Sequence, residues 1–109
     1  SEERFRSAFE LTGVGMALAG PDGTFWQVNE SFASMLGRTP GDLVGNDFAS
    51  ITHPDDRSAG VDRLAAVMAG EQDVYRTEKR FLAADGRIVW AIMTAAAVRG
   101  AEEKPAYFI

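Results

Sequence analysis

The feature that most restricts the fold is a long apolar run, IVWAIMTAAAV at residues 88–98, which follows a D-G turn signal. Its β-branched and aromatic residues favour a strand over a helix. Alternation divides its side chains between two faces, one with Ile88, Trp90, Ile92 and Thr94 and the other with Val89, Ala91 and Met93. Because both faces are largely apolar, we predict a central strand covered on two sides, the second cover being the N-terminal helix or another subunit.

The other patterns place helices between two groups of strands. Residues 2–11 have the spacing of a short amphipathic helix, and residues 14–28 form a predicted hairpin around the turn GPDG. Short helical patterns follow, and the longest one covers residues 54–69. Strands joined by hairpins are predicted after it. This order is typical of an α+β domain in which helices close over one face of a curved sheet.

A single histidine lies in the stretch ITHPDDR, residues 51–57. A metal or acid/base site would need more ligands, and the two aspartates after His53 cannot easily converge with it at a helix start. The pattern favours a helix start, with Thr52 or His53 as N-cap, a proline at the first position and acidic residues in the first turn. We interpret His53 and Asp56 as structural capping residues, like Asn29 before the helix ESFASMLG, and predict no metal or catalytic site.

Composition limits the compartment and the partners. The chain has 109 residues, 46% of them hydrophobic, as expected of one globular domain. It has no cysteine, which excludes disulfides and cysteinyl cofactor adducts and fits the cytoplasm. A net charge of −5 with scattered basic residues argues against nucleic acid as a partner, and no apolar run could span a membrane. The ending KPAYFI stops inside a strand pattern, so we expect a cytoplasmic domain cut from a longer protein.

Four fragments cover essentially the whole chain: FRSAFELTGVGMAL, DGTFWQVNESFASMLGRTPGDLVG, ITHPDDR and EKRFLAADGRIVWA. In order and spacing they resemble the PAS domains of bacterial signalling proteins, of the S-box type. The resemblance implies a five-stranded antiparallel sheet, with short helices and one longer helix packed on one face around a small apolar pocket. It also implies one domain, with a core at residues 12–109 and an N-terminal flanking helix at residues 1–11.

A pocket of this kind would be lined by inward side chains, which are also the predicted core. Our candidates are Met16, Leu18, Phe32, Leu36, Phe48, Ile51, Leu64, Met68, Phe81, Trp90, Ile92 and, as a polar member, Thr94. Arg80 or Glu78 could also orient a ligand. The charges of RTEKR, residues 76–80, are better explained as a solvated strand face with cross-strand ion pairs.

The same residues restrict which of the cofactors known from PAS domains this chain could bind. Haem is disfavoured, since the longest helix has no histidine after its start and Met68 is more simply a core residue. The absence of cysteine excludes a covalent flavin. A non-covalent flavin stacked on Trp26 or Trp90, or a small metabolite, stays open, with core or sheet-surface packing the favoured role of both tryptophans.

The resemblance implies a sensor that is not itself an enzyme and that passes signals to an attached output domain. That domain would be a histidine kinase or a diguanylate cyclase or phosphodiesterase. We expect a homodimer through the N-terminal helix, with Phe5 and Phe9, and the sheet face. Two alternatives stay open: a ligand-free docking and dimerisation domain, and a small α+β enzyme that uses His53 with Asp55 and Asp56.

Overall fold

The computed structural model describes residues 2–11, 13–99 and 105–109. The helices are α1 (Glu2–Leu11), α2 (Glu30–Met35), α3 (Pro40–Leu43) and α4 (Pro54–Met68), with a 3₁₀ turn at Phe48–Ile51. The strands are β1 (Ala17–Ala19), β2 (Phe25–Val28), β3 (Val74–Leu82), β4 (Ile88–Arg99) and β5 (Pro105–Phe108). Helices lie between two groups of strands, so the predicted α+β class is confirmed.

The strands pair in the order β2-β1-β5-β4-β3, and each pairing is antiparallel. The long β3–β4 hairpin runs in register from Val74 opposite Ala96 to Leu82 opposite Ile88. β4 lies between β3 and β5, so the prediction that residues 88–98 form an inner strand is confirmed. β2 and β3 are the edges of the sheet, and the last strand, β5, lies in its middle beside β1.

Capping residues fix the ends of the helices. Thr39 and Asp42 form a reciprocal capping box at α3: the Asp42 backbone N–H donates to Thr39 Oγ1, and the Thr39 N–H donates to the Asp42 carboxylate. α4 begins at a proline and is followed by Gly70. Gly70 has a φ of 82°, a backbone conformation that glycine adopts at little energetic cost and that residues with a side chain rarely adopt. These caps are local, which is why sequence patterns locate them well.

The core lies between the sheet and the helices. Leu36, Leu43 and Val67 are its largest fully buried apolar side chains. α4 packs on β3 and β4 and buries Leu64 and Val67. α1 buries Phe9 outside this main cluster, while the side chain of Phe5 lies outside the described part. No helix of the described residues has the length and apolar character of a membrane span.

Candidate functional site

The interior contains most of the predicted pocket residues. Those found in or against the buried cluster are Phe32, Leu36, Phe48, Ile51, Leu64, Met68 and Phe81. The Phe32 ring makes edge contacts with Phe25 and Phe81, at centroid distances of 5.8 and 6.0 Å. Such T-shaped pairs fill a core densely. The prediction that these residues form one core is confirmed, and their contact with a ligand stays a prediction.

The predicted inner face of β4 is wrong. Trp90 and Ile92 are 65% and 61% exposed, and Thr94 is exposed on the same face. The residues of β4 that pack against the core are on the other face, namely Val89, Ala91, Met93 and Ala95. Both faces are apolar in the sequence, and a shift of one residue exchanges the faces of a strand. Alternation alone therefore could not show which face is buried.

The predicted inner face of β1 is also wrong. Met16 and Leu18 are half-buried and lie outside the core cluster, whereas Ala17 and Ala19 belong to it. The strand pattern has one bulky and one small face, and burial of larger apolar groups is usually favoured. Here the small residues face inward, and Ala19 is paired across the hairpin with Phe25 of the same cluster.

One interior group was missed, the ammonium of Lys79. The sequence predicted a solvated face for RTEKR, but Lys79 is 3% exposed. Its Nζ lies 5.3 Å from the ring centre of Phe48 and 5.2 Å from that of Phe81, and Met93 Sδ is 3.8 Å away. Alternation along β3 puts Lys79 on the same face as Phe81, two residues later, and this signal could have located it.

The environment of Lys79 is weakly polar. Burial lowers the pKa of Lys79 from 10.5 to about 8, and the negative charge of Asp56 acts in the opposite direction. A group with this pKa is mostly protonated at neutral pH. Two aromatic faces and a thioether are weak partners for a buried cation. The interior thus holds a positive charge without a strong acceptor among the described residues in contact with it.

The ITHPDDR segment caps α4 and covers the edge of β3. His53 Nδ1 accepts a hydrogen bond from the Asp55 backbone N–H at 3.1 Å, so the capping prediction is confirmed. The His53 backbone N–H donates to the Arg80 carbonyl at 2.9 Å. Paired edge groups of this kind cannot recruit another strand. Among the described residues, no three His, Asp or Glu side chains form a metal site.

Asp56 lies in the first turn of α4, as predicted, but it is not a cap. Its carboxylate accepts hydrogen bonds from the Arg80 backbone N–H at 3.0 Å and from the Arg80 guanidinium at 3.1 and 2.7 Å. Asp56 therefore fastens the start of α4 to β3. The partner is 24 residues away in sequence, so local spacing could not reveal it.

Asp56→Asn is expected to destabilise the protein at neutral pH, and this effect should disappear in acid. The hydrogen bonds from Arg80 lower the pKa of Asp56 from 3.8 to about 2. The stabilisation is therefore complete above about pH 3.8 and is lost as the pH falls through about 2. Thermal unfolding midpoints of the two proteins, measured from pH 7 to pH 2, should converge at the acid end.

Asp55→Asn is the matched control for this experiment. It removes the same charge from the same helical turn, but the Asp55 side chain is 75% exposed. We expect little change in its unfolding midpoint at any pH. A gap between Asp56→Asn and the unsubstituted protein that stays constant down to pH 2 would contradict the proposed role of the carboxylate.

Asn29 is fully buried and joins three segments of the chain. Its Oδ1 accepts hydrogen bonds from the backbone N–H groups of Phe32 at 2.9 Å and Met16 at 3.0 Å. Its Nδ2 donates to the carbonyls of Phe9 at 2.7 Å and Val14 at 2.8 Å. The amide is fully used. The predicted N-cap of α2 is confirmed, and the same side chain also fastens α1 and the segment after it.

The outer face of the β3–β4 hairpin carries exposed apolar side chains. Ile88, Trp90 and Ile92 form what we call the outer patch. The Arg80 guanidinium lies over the Trp90 ring, 5.4 Å from its centre. Because Arg80 also binds Asp56, the outer patch is connected to the start of α4 through one side chain.

This arrangement matches a known family. The model of the PAS fold matches residues 25–109. The chain belongs to the PAS family. A PAS domain from Colwellia psychrerythraea has the same fold, with a TM-score of 0.89, 18% identity, and coverage of 98% of this chain and 90% of that one. The resemblance stated from the sequence motifs is thereby confirmed.

Two curated relatives are signalling proteins. This PAS chain is 35% identical over 109 residues to the probable diguanylate cyclase DgcE of Escherichia coli K12, covering 100% of the chain and 10% of the relative. It is 26% identical over 91 residues to the sensor histidine kinase TmoS of Ectopseudomonas mendocina, covering 84% of the chain and 9% of the relative. The chain thus spans about a tenth of the length of these relatives.

The cofactors of PAS domains fit these residues poorly. Haem needs an axial ligand, and the single imidazole of the chain is used as the α4 cap. Trp26 lines a groove of about 310 Å³ beside α1, and Trp90 lies in the outer patch. Neither indole is buried in the interior, so neither fits as the stacking partner of an interior flavin.

Proposed function

We propose that this PAS domain is the sensory and dimerisation module of a larger cytoplasmic signalling protein and regulates an attached output domain. The two curated relatives, a probable diguanylate cyclase and a sensor histidine kinase, support this class of protein. We propose a histidine kinase or a diguanylate cyclase or phosphodiesterase as the output domain. The domain itself is proposed to be non-catalytic, since the His53 imidazole is used as a helix cap.

The outer patch is the observation that carries the dimerisation part of this proposal. Ile88, Trp90 and Ile92 are 48%, 65% and 61% exposed at alternate positions on one face of β4. Exposed apolar patches of this kind mark interaction sites, and tryptophan is a frequent anchor in interfaces. Arg76 and Glu78 lie on the same face of β3, beside the patch, where they could form a charged rim.

The signal is proposed to pass mechanically between the interior, the outer patch and the chain segments that flank them. Arg80 contacts both Asp56 at the start of α4 and Trp90 in the outer patch. Asn29 holds the carbonyl of Phe9 in α1. A change in interior packing that moves α4 would therefore shift groups at both places, and a partner or ligand that favours one arrangement would change its population.

Ile92→Glu is expected to raise the dimer dissociation constant by about tenfold or more, because it places a charge in the apolar part of the proposed interface. The measurement is sedimentation equilibrium over a range of protein concentrations. Val61→Glu is the matched control, since Val61 is a comparably exposed β-branched residue (50%) on α4 rather than on the sheet. Its dissociation constant should be unchanged.

Equal dissociation constants for Ile92→Glu and the unsubstituted protein would remove the outer patch from the proposed interface. Unfolding midpoints of both variants should be recorded, because a substitution at an exposed position usually changes stability by less than about 0.5 kcal/mol. A monomer that is folded would then report on the interface alone.

A ligand-free docking and dimerisation domain is the second candidate function. It is supported by the dense interior, where Ala33, Leu36 and Val67 are fully buried. Native mass spectrometry and an absorption spectrum of the purified chain separate the candidates. A retained small-molecule mass or a chromophore band would exclude the ligand-free candidate.

A further inference from the structure

The Lys79 ammonium has more hydrogen-bond donors than its surroundings use. A protonated lysine carries three N–H donors and accepts none. In the described residues, Nζ has one acceptor, Met93 Sδ at 3.8 Å, and two ring faces, those of Phe48 and Phe81. Asp56 acts on it only through its charge at longer range, and both carboxylate oxygens of Asp56 bind Arg80. Burying an unpaired charge is costly.

α4 comes close to this ammonium at a residue without a side chain, Gly60. Gly60 is buried in α4, and a Cβ added there would have Lys79 Nζ as its nearest neighbour, at 3.9 Å. A methyl group at residue 60 would therefore touch the ammonium, so a larger group can reach Nζ only when the Met93 side chain moves. The Met93 side chain, which forms the other wall, has a flexible thioether that can change rotamer to enlarge the space.

The chemistry of these walls selects a class of ligand. The positive charge requires an anion, and the rings of Phe48 and Phe81 favour hydrocarbon next to it. The negative charge of Asp56, which acts on Lys79 at longer range, disfavours a dianion. A carboxylate accepts several hydrogen bonds with one negative charge, so it supplies what Nζ lacks.

We propose that this space, which we call the Lys79 site, binds a small monocarboxylate, with its oxygens on Lys79 Nζ and its hydrocarbon part against Phe48 and Phe81. The proposal deepens the proposed sensory function and rests on it. Binding would replace the weak Met93 contact and press on α4 at Gly60. Since Asp56 fastens the start of α4 to Arg80, the ligand would act on the element that is connected to the outer patch.

The test is an amide ¹H–¹⁵N NMR titration of the 109-residue chain at pH 7 with butyrate and benzoate, and with butyramide and benzamide as neutral analogues. The two carboxylates should give saturable shifts at residues around Lys79, with dissociation constants about tenfold or more below those of the amides. Lys79→Met should weaken carboxylate binding by a similar factor. Arg87→Met, which removes the same charge from an exposed side chain, should not.

Two further readouts keep the test decisive. The pKa of Lys79, measured from its ¹³Cε shift, should rise when butyrate is bound, because a carboxylate partner favours the charged amine. Equal affinities for acids and amides in the unsubstituted chain, or equal binding by Lys79→Met, would overturn the Lys79 site. Both outcomes leave the sedimentation result for Ile92→Glu unaffected, so failure of this site and failure of the proposed dimerisation are distinguishable.

Discussion

Asn29→Ala is expected to destabilise the fold by about 3–5 kcal/mol, a large part of the roughly 5–15 kcal/mol that stabilises a typical domain. The substitution removes the N-cap of α2, worth about 1 kcal/mol. It also leaves the backbone N–H of Met16 and the carbonyls of Phe9 and Val14 without their amide partner. Each buried polar group that loses its partner costs about 1–3 kcal/mol, less where water enters. Urea unfolding followed by circular dichroism measures the change.

Two further variants show whether the network causes this loss. Asn46→Ala is the matched control, since Asn46 makes an exposed hydrogen bond to the Asp42 carbonyl at 2.8 Å, and it should cost less than about 1 kcal/mol. Asn29→Asp keeps the acceptor for Phe32 but replaces the donor to Phe9 and Val14 with a negative oxygen. It should be at least as destabilising as alanine above pH 5. A mild effect of both Asn29 variants would refute the network.

Gly23→Ala is expected to cost about 2–4 kcal/mol, the second largest effect. Gly23 has a φ of 86°, which costs a residue with a side chain about 1 kcal/mol. Its added Cβ would also clash with Cε1 of the Phe48 ring, so that ring would have to move. Overpacking of this kind adds about 1–3 kcal/mol.

Gly86→Ala separates the two causes. Gly86 has nearly the same φ, 87°, but an added Cβ would meet no atom within 4 Å. Urea unfolding of Gly86→Ala should therefore give the backbone cost alone, about 1 kcal/mol. If both glycine variants lose the same stability, the clash with Phe48 is absorbed without cost and the packing argument fails.

The candidate site was predictable only in part. The helical stripe with Phe32 and Leu36 identified core residues, because a helix has a polar side that shows which side is buried. The strands lacked this contrast. In β4 both faces are apolar, and the inner face was assigned wrongly to Trp90 and Ile92. In β3 the charged residues around Lys79 indicated a solvated face. Lys79 lies two residues before Phe81, and this alternation places its side chain inside.

The ITHPDDR segment shows the same division. The helix start at His53 was predicted from neighbouring residues in the sequence, since a cap joins groups within a few residues of each other. The bond from Asp56 to Arg80 crosses 24 residues and depends on where β3 lies relative to α4. Of the four side-chain hydrogen bonds of Asn29, the one to the Phe9 carbonyl likewise reaches back 20 residues.

The sequence by itself determined the family, the α+β order of elements and the capped helix ends, because turn chemistry, periodicity and motif spacing are local properties of the chain. Only the tertiary structure decided which face of each strand is buried, that Lys79 lies in the core, and that Asp56 and Asn29 fasten distant segments together. The physical reason is that burial and pairing depend on which elements meet in space. A strand that is apolar on both faces fits either orientation until the helices pack on one of them.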